Sequence, residues 1–397
     1  MSVLPGILQI PLTALTGRPA PGQKAWRLTA THHLLGMIVS TSVGVISSAL
    51  AVRGGFWLLL LIPGWAMTLH GLRNLRQMVF HQCGHINFYG NERLDAAIGR
   101  VLSTLLLVEG YARYRKEHVV DHHSARHMTL YDPTVKALLI TVGLRPGMRR
   151  QDCQRALLKT LFSPYLHLRF FIARVHSHFA SASTVQRIAT SLYLLILGTV
   201  VTVAHIWLVF LVAWVIPLAV FYQAASILRL AVKHVFPSPG GPRRGKEHFA
   251  SLTYGVFLGE PVPVPADRIS GRIWAWTRWT LRMLFVHFPA RYMVLTGDTV
   301  CHDYHHRHPR STQWANYIFA REDDILRGHA GWPAYREVWG FTAALNLMFD
   351  SLTQADPQEF SVDRLVPANG GRRRRLSLPG DGTLYTPAHQ VFAGIDD

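Results

Sequence analysis

Neutral imidazole is the side chain most often used to hold a redox-active metal, so the 22 histidines of this 397-residue chain are the first place to look for chemistry. His302, His305 and His306, in TGDTVCHDYHHRHP, fall at i, i+3 and i+4 and would share one face of a helix or helix-like turn. Alone, such a group reads as surface histidines. Two further groups change the reading: His81 and His85 in HQCGH, and His118, His122 and His123 in HVVDHH, both with helical spacing. Eight imidazoles in three groups are too many for one tetrahedral ion and suit two metals. The three cysteines, Cys83, Cys153 and Cys301, form no CxxC pair, which fits a reducing compartment and excludes an iron–sulfur cluster or zinc ribbon. No GxGxxG turn and no haem-binding segment is present, so electrons for a redox centre must come from outside the chain.

The elements that position these groups are apolar. Only 16% of residues are charged, against about 25% in ordinary soluble domains, so part of the surface faces lipid. Residues 34–52 and 56–73 are each close to the length that crosses a hydrocarbon core, with Arg53-Gly54-Gly55 as the turn between them. Residues 188–228 contain no Lys, Arg, Asp or Glu and are long enough for two spans, 188–207 and 208–228, reversing near His205 and Ile206. For the first pair, buried helices of a large soluble protein are the alternative.

Charge orients the spans. The chain carries a formal charge of +18, but of its 41 Lys and Arg only Arg53 lies on the side of the two turns. The asymmetry places the bulk of the chain, and all three histidine groups, in the cytoplasm, and accounts for the charge without nucleic acid.

The remaining segments are read more coarsely. Residues 1–30 form a leader, broken by Pro5, Pro11, Pro19 and Pro21, that lies along the membrane surface or is unstructured; it lacks the basic start of a signal peptide. Residues 94–110 are helical but too short and too charged at their ends to span. Residues 274–296, with Trp274, Trp276, Trp279 and Phe285, read as an interfacial helix. Residues 351–397, with Arg372 to Arg375, read as a disordered cytoplasmic tail.

The order HxxxH, HxxxHH, HxxHH around two pairs of spans resembles the membrane fatty acid desaturase superfamily, which also includes hydroxylases and related oxygenases. HQCGHINFYGNERLDAAIG is similar to the first box, and YARYRKEHVVDHHSARHMTLYDPT to the second, with its Asp132-Pro133 pair downstream. GDTVCHDYHH is similar in spacing to the third, G-E-G-x-x-H-N-x-H-H, but carries Asp298 for the glutamate, Thr299 for the second glycine and Asp303 for the asparagine. The resemblance extends over roughly residues 30–320.

The resemblance implies an all-α integral membrane protein: a domain over 31–350, four transmembrane helices in two hairpins, and a cytoplasmic helical cap (74–187 and 229–350) carrying a histidine-rich di-iron site. It implies two iron ions held by His81, His85, His118, His122, His123, His302, His305 and His306, with His234 after the last span as a ninth ligand. It implies dioxygen as co-substrate, a separate ferredoxin or cytochrome with its reductase as donor, and a fatty acyl substrate that is desaturated; hydroxylation of a lipid or other apolar substrate is the near alternative. A membrane metal carrier is the remote one, disfavoured because the spans carry no Asp, Glu or Lys of an ion path. Asp121 and Asp303, inside the boxes, are candidates to accept the free N–H of a ligand imidazole, or else cap helices; Asp298 and Glu117 are weaker ones. His127, His248, His287, His308 and His329 read as structural, with His287 and His308 the first to reconsider.

Overall fold

The computed structural model describes residues 4–180, 182–264 and 268–365. This chain is mostly helical, and among the described residues four helices are long and apolar enough to cross a membrane: Ala30–Ala51, Gly55–Gly84, Thr184–Val203 and Trp207–Leu230. The expected all-α architecture has one small exception, a parallel pairing of Gly255–Phe257 with Glu337–Trp339.

The first span is launched by a capping box in which Thr29 Oγ1 accepts from the His32 amide and His32 Nδ1 accepts from the Thr29 amide. It runs antiparallel to the second along small residues, Gly44 against Thr68, Ser48 against Gly64 and Thr41 against Gly71. A Cβ at any of these glycines would collide with the facing helix, so close approach, with its dispersion gain, requires glycine there. Trp65 Nε1 donates to the Val212 carbonyl at 2.8 Å, tying the second span to the fourth. The third and fourth spans are separated at Ala204–Ile206, where His205 adopts a left-handed backbone (φ 53°). Outward faces of the spans are apolar, with Leu59, Ile62, Leu195 and Val203 well exposed to what is, in a membrane, hydrocarbon.

The second span outruns the expected 56–73. It continues as a π-helix over Leu75–Phe80 into the short helix His81–Gly84, so the first histidine group is built on the end of the span itself. The fourth likewise ends at Leu230, four residues before His234, whose backbone bridges to Thr253.

The segments expected at the margins pack on the body. Thr13 and Thr16 of the leader are buried, the Leu258 amide donates to the Thr16 carbonyl, and Arg18 pairs with Glu337 and Glu322. Helix Phe341–Gln354 runs past the expected start of the tail, and Leu352, Ala355 and Phe360 are buried with Leu157, Phe170 and Phe236. The rest of the expected tail, including Arg372 to Arg375, lies outside the described residues. Helix Ile269–Arg282 exposes Ile273 and Trp274, and the following turn exposes Phe285, the amphipathic face that an interfacial position requires.

Candidate metal centre

Local backbone geometry decides which ring each histidine can join. The second group lies on a π-turn, Lys116–His122, closed by the His123 amide donating to the His118 carbonyl at 3.0 Å. An i→i+5 closure stacks residue i+5 over residue i, so His123 rises over His118 while His122 turns to the other side. The third group is a single turn, His302–Arg307, entered through Gly297–Cys301. Gly297 has φ 57° and faces the Met78 side chain so closely that a Cβ would strike it, which accounts for glycine at this point of the box.

These turns gather nine imidazoles into two adjoining sets. In the first, Nε2 atoms form a string: His85 to His118 at 3.1 Å, His118 to His123 at 3.2 Å, His123 to His305 at 3.0 Å and His305 to His81 at 2.9 Å. In the second, His234 Nε2 lies 3.2 Å from His302 Nε2, which lies 3.1 Å from His306 Nε2, and His122 converges on the same point. The His122-His123 and His305-His306 pairs each send one ring to either set, so the two centres are joined through the backbone.

Lone pairs about 3 Å apart repel unless a proton or a cation lies between them. Imidazoles that share a first-row ion sit about 2.0–2.1 Å from it, hence about 3 Å from each other when their bonds are at right angles. The observed spacings match that requirement. Burial pushes His85 down to about 3 and His122 to about 4, and holds His118, His123, His234, His302, His305 and His306 well below the usual imidazole value. The rings are therefore neutral, the form that ligates. Two sets of converging, buried, neutral nitrogens fit two metal ions.

Carboxylates stand behind the rings, in part where the sequence did not point. Asp132, fully buried, accepts from His122 Nδ1 at 3.0 Å, from the Met128 amide at 2.7 Å and from the Thr134 amide at 2.8 Å. Burial works to raise its carboxyl, but the His122 and His127 imidazoles and their hydrogen bonds outweigh it and hold Asp132 well below the usual range. A carboxylate that fixes Nδ1–H on His122 leaves the Nε2 lone pair for metal. Asp132 was noted in the sequence only as part of a box; the signal available was Asp before Pro at a helix start, where the side chain caps Thr134.

The other candidates are placed elsewhere. Asp121 pairs with Arg126 at 2.6 Å at the surface, and Glu117 with Arg113 at 2.8 Å. Asp303 is buried and accepts from Nε and Nη2 of Arg321 at 2.8–3.1 Å, while Arg321 Nη1 donates to Glu337. Asp298 Oδ2 lies 4.0 Å from His305 Nδ1, its carboxyl raised by burial to about 6. Thr299 accepts from Arg229 Nε at 2.9 Å, giving a buried guanidinium a partner that glycine would not. His287 accepts from the Gly259 amide, His308 faces Asp324, His248 contacts the Pro242 carbonyl and His329 lies against Tyr335 with the rings tilted. His127, by contrast, lies among the rings of the second set.

A family model described as fatty acid desaturase matches residues 55–279, more than half of the chain, and ends before the third histidine group. No curated protein and no solved structure matches.

Proposed function

The chain belongs to the fatty acid desaturase family, and from that premise we propose that it is a membrane-bound di-iron oxidoreductase that introduces a double bond into a fatty acyl chain. Dioxygen, two electrons from a separate donor and two protons would be consumed, and the two acyl hydrogens would leave in two molecules of water. The observation that carries this is the convergence of His81, His85, His118 and His305 on one point, with His123 Nε2 3.0–3.2 Å from His305 and His118, and of His122, His234, His302 and His306 on the next. Bound iron in an all-imidazole setting supplies the reduction of dioxygen and the attack on an unactivated C–H bond.

What the chain contributes is position, dryness and charge. Second and fourth spans deliver His81 and His234 at their ends, so a chain lying among the spans would meet the imidazole sets at one depth. His81, His118, His122, His234 and His302 are essentially inaccessible to solvent, which excludes bulk water from the point of attack. Arg321 neutralises Asp303 between the two halves of the third box and fixes its turn.

The spans form two hairpins in this reading, with Arg53 and His205 at the tips and the histidine sets in a cytoplasmic cap. The single Arg among 41 basic residues on the tip side supports that sidedness. The basic cytoplasmic surface suits an acidic electron donor, a ferredoxin or a cytochrome with its reductase.

The test is mass spectrometry of lipid and acyl extracts from cells expressing the protein with a ferredoxin system, beside His305→Ala. A product two hydrogens lighter, absent in the variant, is expected. A product heavier by one oxygen would replace desaturation with hydroxylation, and vesicle uptake of zinc with no acyl product would replace both with metal transport.

A further inference from the structure

His127 is 0% exposed and lies four residues beyond His123, in HHSARH, outside the HxxxHH pattern of the second group. Its ring centroid is 4.6 Å from those of His122, His234 and His306 alike. Among the second set themselves the corresponding separations are 4.6–5.1 Å, so by ring spacing His127 resembles the histidines around it, while its ligand nitrogen groups with His122 and Asp132. Phe249 stacks on the ring at 5.5 Å.

Its two nitrogens are differently placed. Nδ1 faces Asp132 Oδ2 at 3.5 Å, the same carboxylate that holds His122 Nδ1 at 3.0 Å. Both nitrogens are buried without a hydrogen bond: Nδ1 meets the Asp132 carboxylate only at that longer distance, and Nε2 meets no polar partner. A buried polar nitrogen left unpaired costs about 1–3 kcal/mol, a cost that a structural histidine would normally avoid. A carboxylate behind Nδ1 with a free Nε2 is the arrangement of a metal-binding imidazole; His122 has it with a hydrogen bond at 3.0 Å, and His127 has it at 3.5 Å.

We infer that His127 is a tenth ligand imidazole, serving the second centre beside His122, His234, His302 and His306, with Asp132 orienting both His122 and His127. The second centre then has five imidazoles, as many as the first string. Asp132 becomes the one carboxylate on which two ligands of the same ion depend. The inference rests on the metal-centre reading above.

The experiment uses the full chain, purified in detergent and loaded anaerobically with ferrous iron, and compares the wild type with His127→Gln and His127→Gly. The readouts are iron per chain, the rate of iron release to a ferrous chelator, and the Mössbauer doublets of iron-57. Expected are release of one of the two irons at least about tenfold faster, and a change confined to one doublet. Added imidazole should restore retention in His127→Gly, whereas pyrrole, of similar size but without a free nitrogen lone pair, should not. Unchanged release and doublets in folded His127→Gln would overturn the inference, as would rescue by pyrrole equal to that by imidazole, which marks a packing role. A wild type that holds no iron overturns the metal-centre reading itself and this inference with it, whereas a wild type that holds two leaves only His127 at stake.

Discussion

The two imidazole sets are built from the same three histidine groups, yet they are supported in different ways. The first is a string of five rings, two of them from the end of a membrane span, and its nearest acid, Asp298, stands 4.0 Å from His305 Nδ1. The second takes His234 from beyond the fourth span and rests on Asp132, which is fully buried, strongly hydrogen-bonded and in direct contact with His122. An imidazole backed by a carboxylate is both better oriented and more basic toward metal than one without. The comparison teaches that two sets of similar donors need not bind metal equally well: only the second has a carboxylate in hydrogen-bond contact with one of its rings.

The largest effect should fall on both sets at once. Asp303 lies between His302, which serves the second set, and His305, which serves the first, and its pairing with Arg321 is the buried ion pair that fixes their shared turn. Removing one partner of a buried pair costs up to about 3–5 kcal/mol, here reduced because Arg321 Nη1 also pairs with Glu337 at 3.1 Å. Asp303→Asn should therefore lower the midpoint of thermal unfolding and deplete both irons together; depletion of one iron alone would show that the turn does not couple the sets. Next in size is Asp132→Asn, for which metal retention at the second set should fall about 10–100-fold while the first holds. Chelator release in two phases, only one of them accelerated, checks this, and equal acceleration of both would end the asymmetry.

What the sequence disclosed, and what it withheld, follows from the range of the interactions. The histidine groups were legible because ligand spacing on one turn is local, and the spans because a run such as 188–228 without charge has few other uses. Which ring joins which set was not, because it depends on a π-turn at Lys116–His122 that helical spacing does not announce. Asp132 escaped because it lies ten residues from the imidazole it serves, across a loop whose course is set by tertiary packing. Asp121 drew attention by lying next to His122, but adjacent residues on a helix point apart, and it turned outward to Arg126. The packed leader and the buried Leu352 and Phe360 carry no periodicity, so only the contacts they make reveal them.

The smallest effect should come from the acid of the first set. Asp298 is as buried as Asp132, but it meets His305 Nδ1 at 4.0 Å, beyond hydrogen-bond reach, and Arg229 also draws on its charge. Without a hydrogen bond it cannot fix the tautomer of His305; it can act only through its field, which on a neutral ring is worth less than the roughly 1–4 kcal/mol that two unit charges exchange at about 4 Å. Sharing with Arg229 reduces the part that reaches the ring. Asp298→Asn keeps the shape and the amide contact to Met78, so iron retention at the first set should fall by less than about tenfold, and by less than Asp132→Asn removes from the second. Chelator release measured on the two variants side by side decides it. If Asp298→Asn frees its iron as readily as Asp132→Asn does, field alone suffices, and direct hydrogen bonding to Nδ1 is not what separates the two centres.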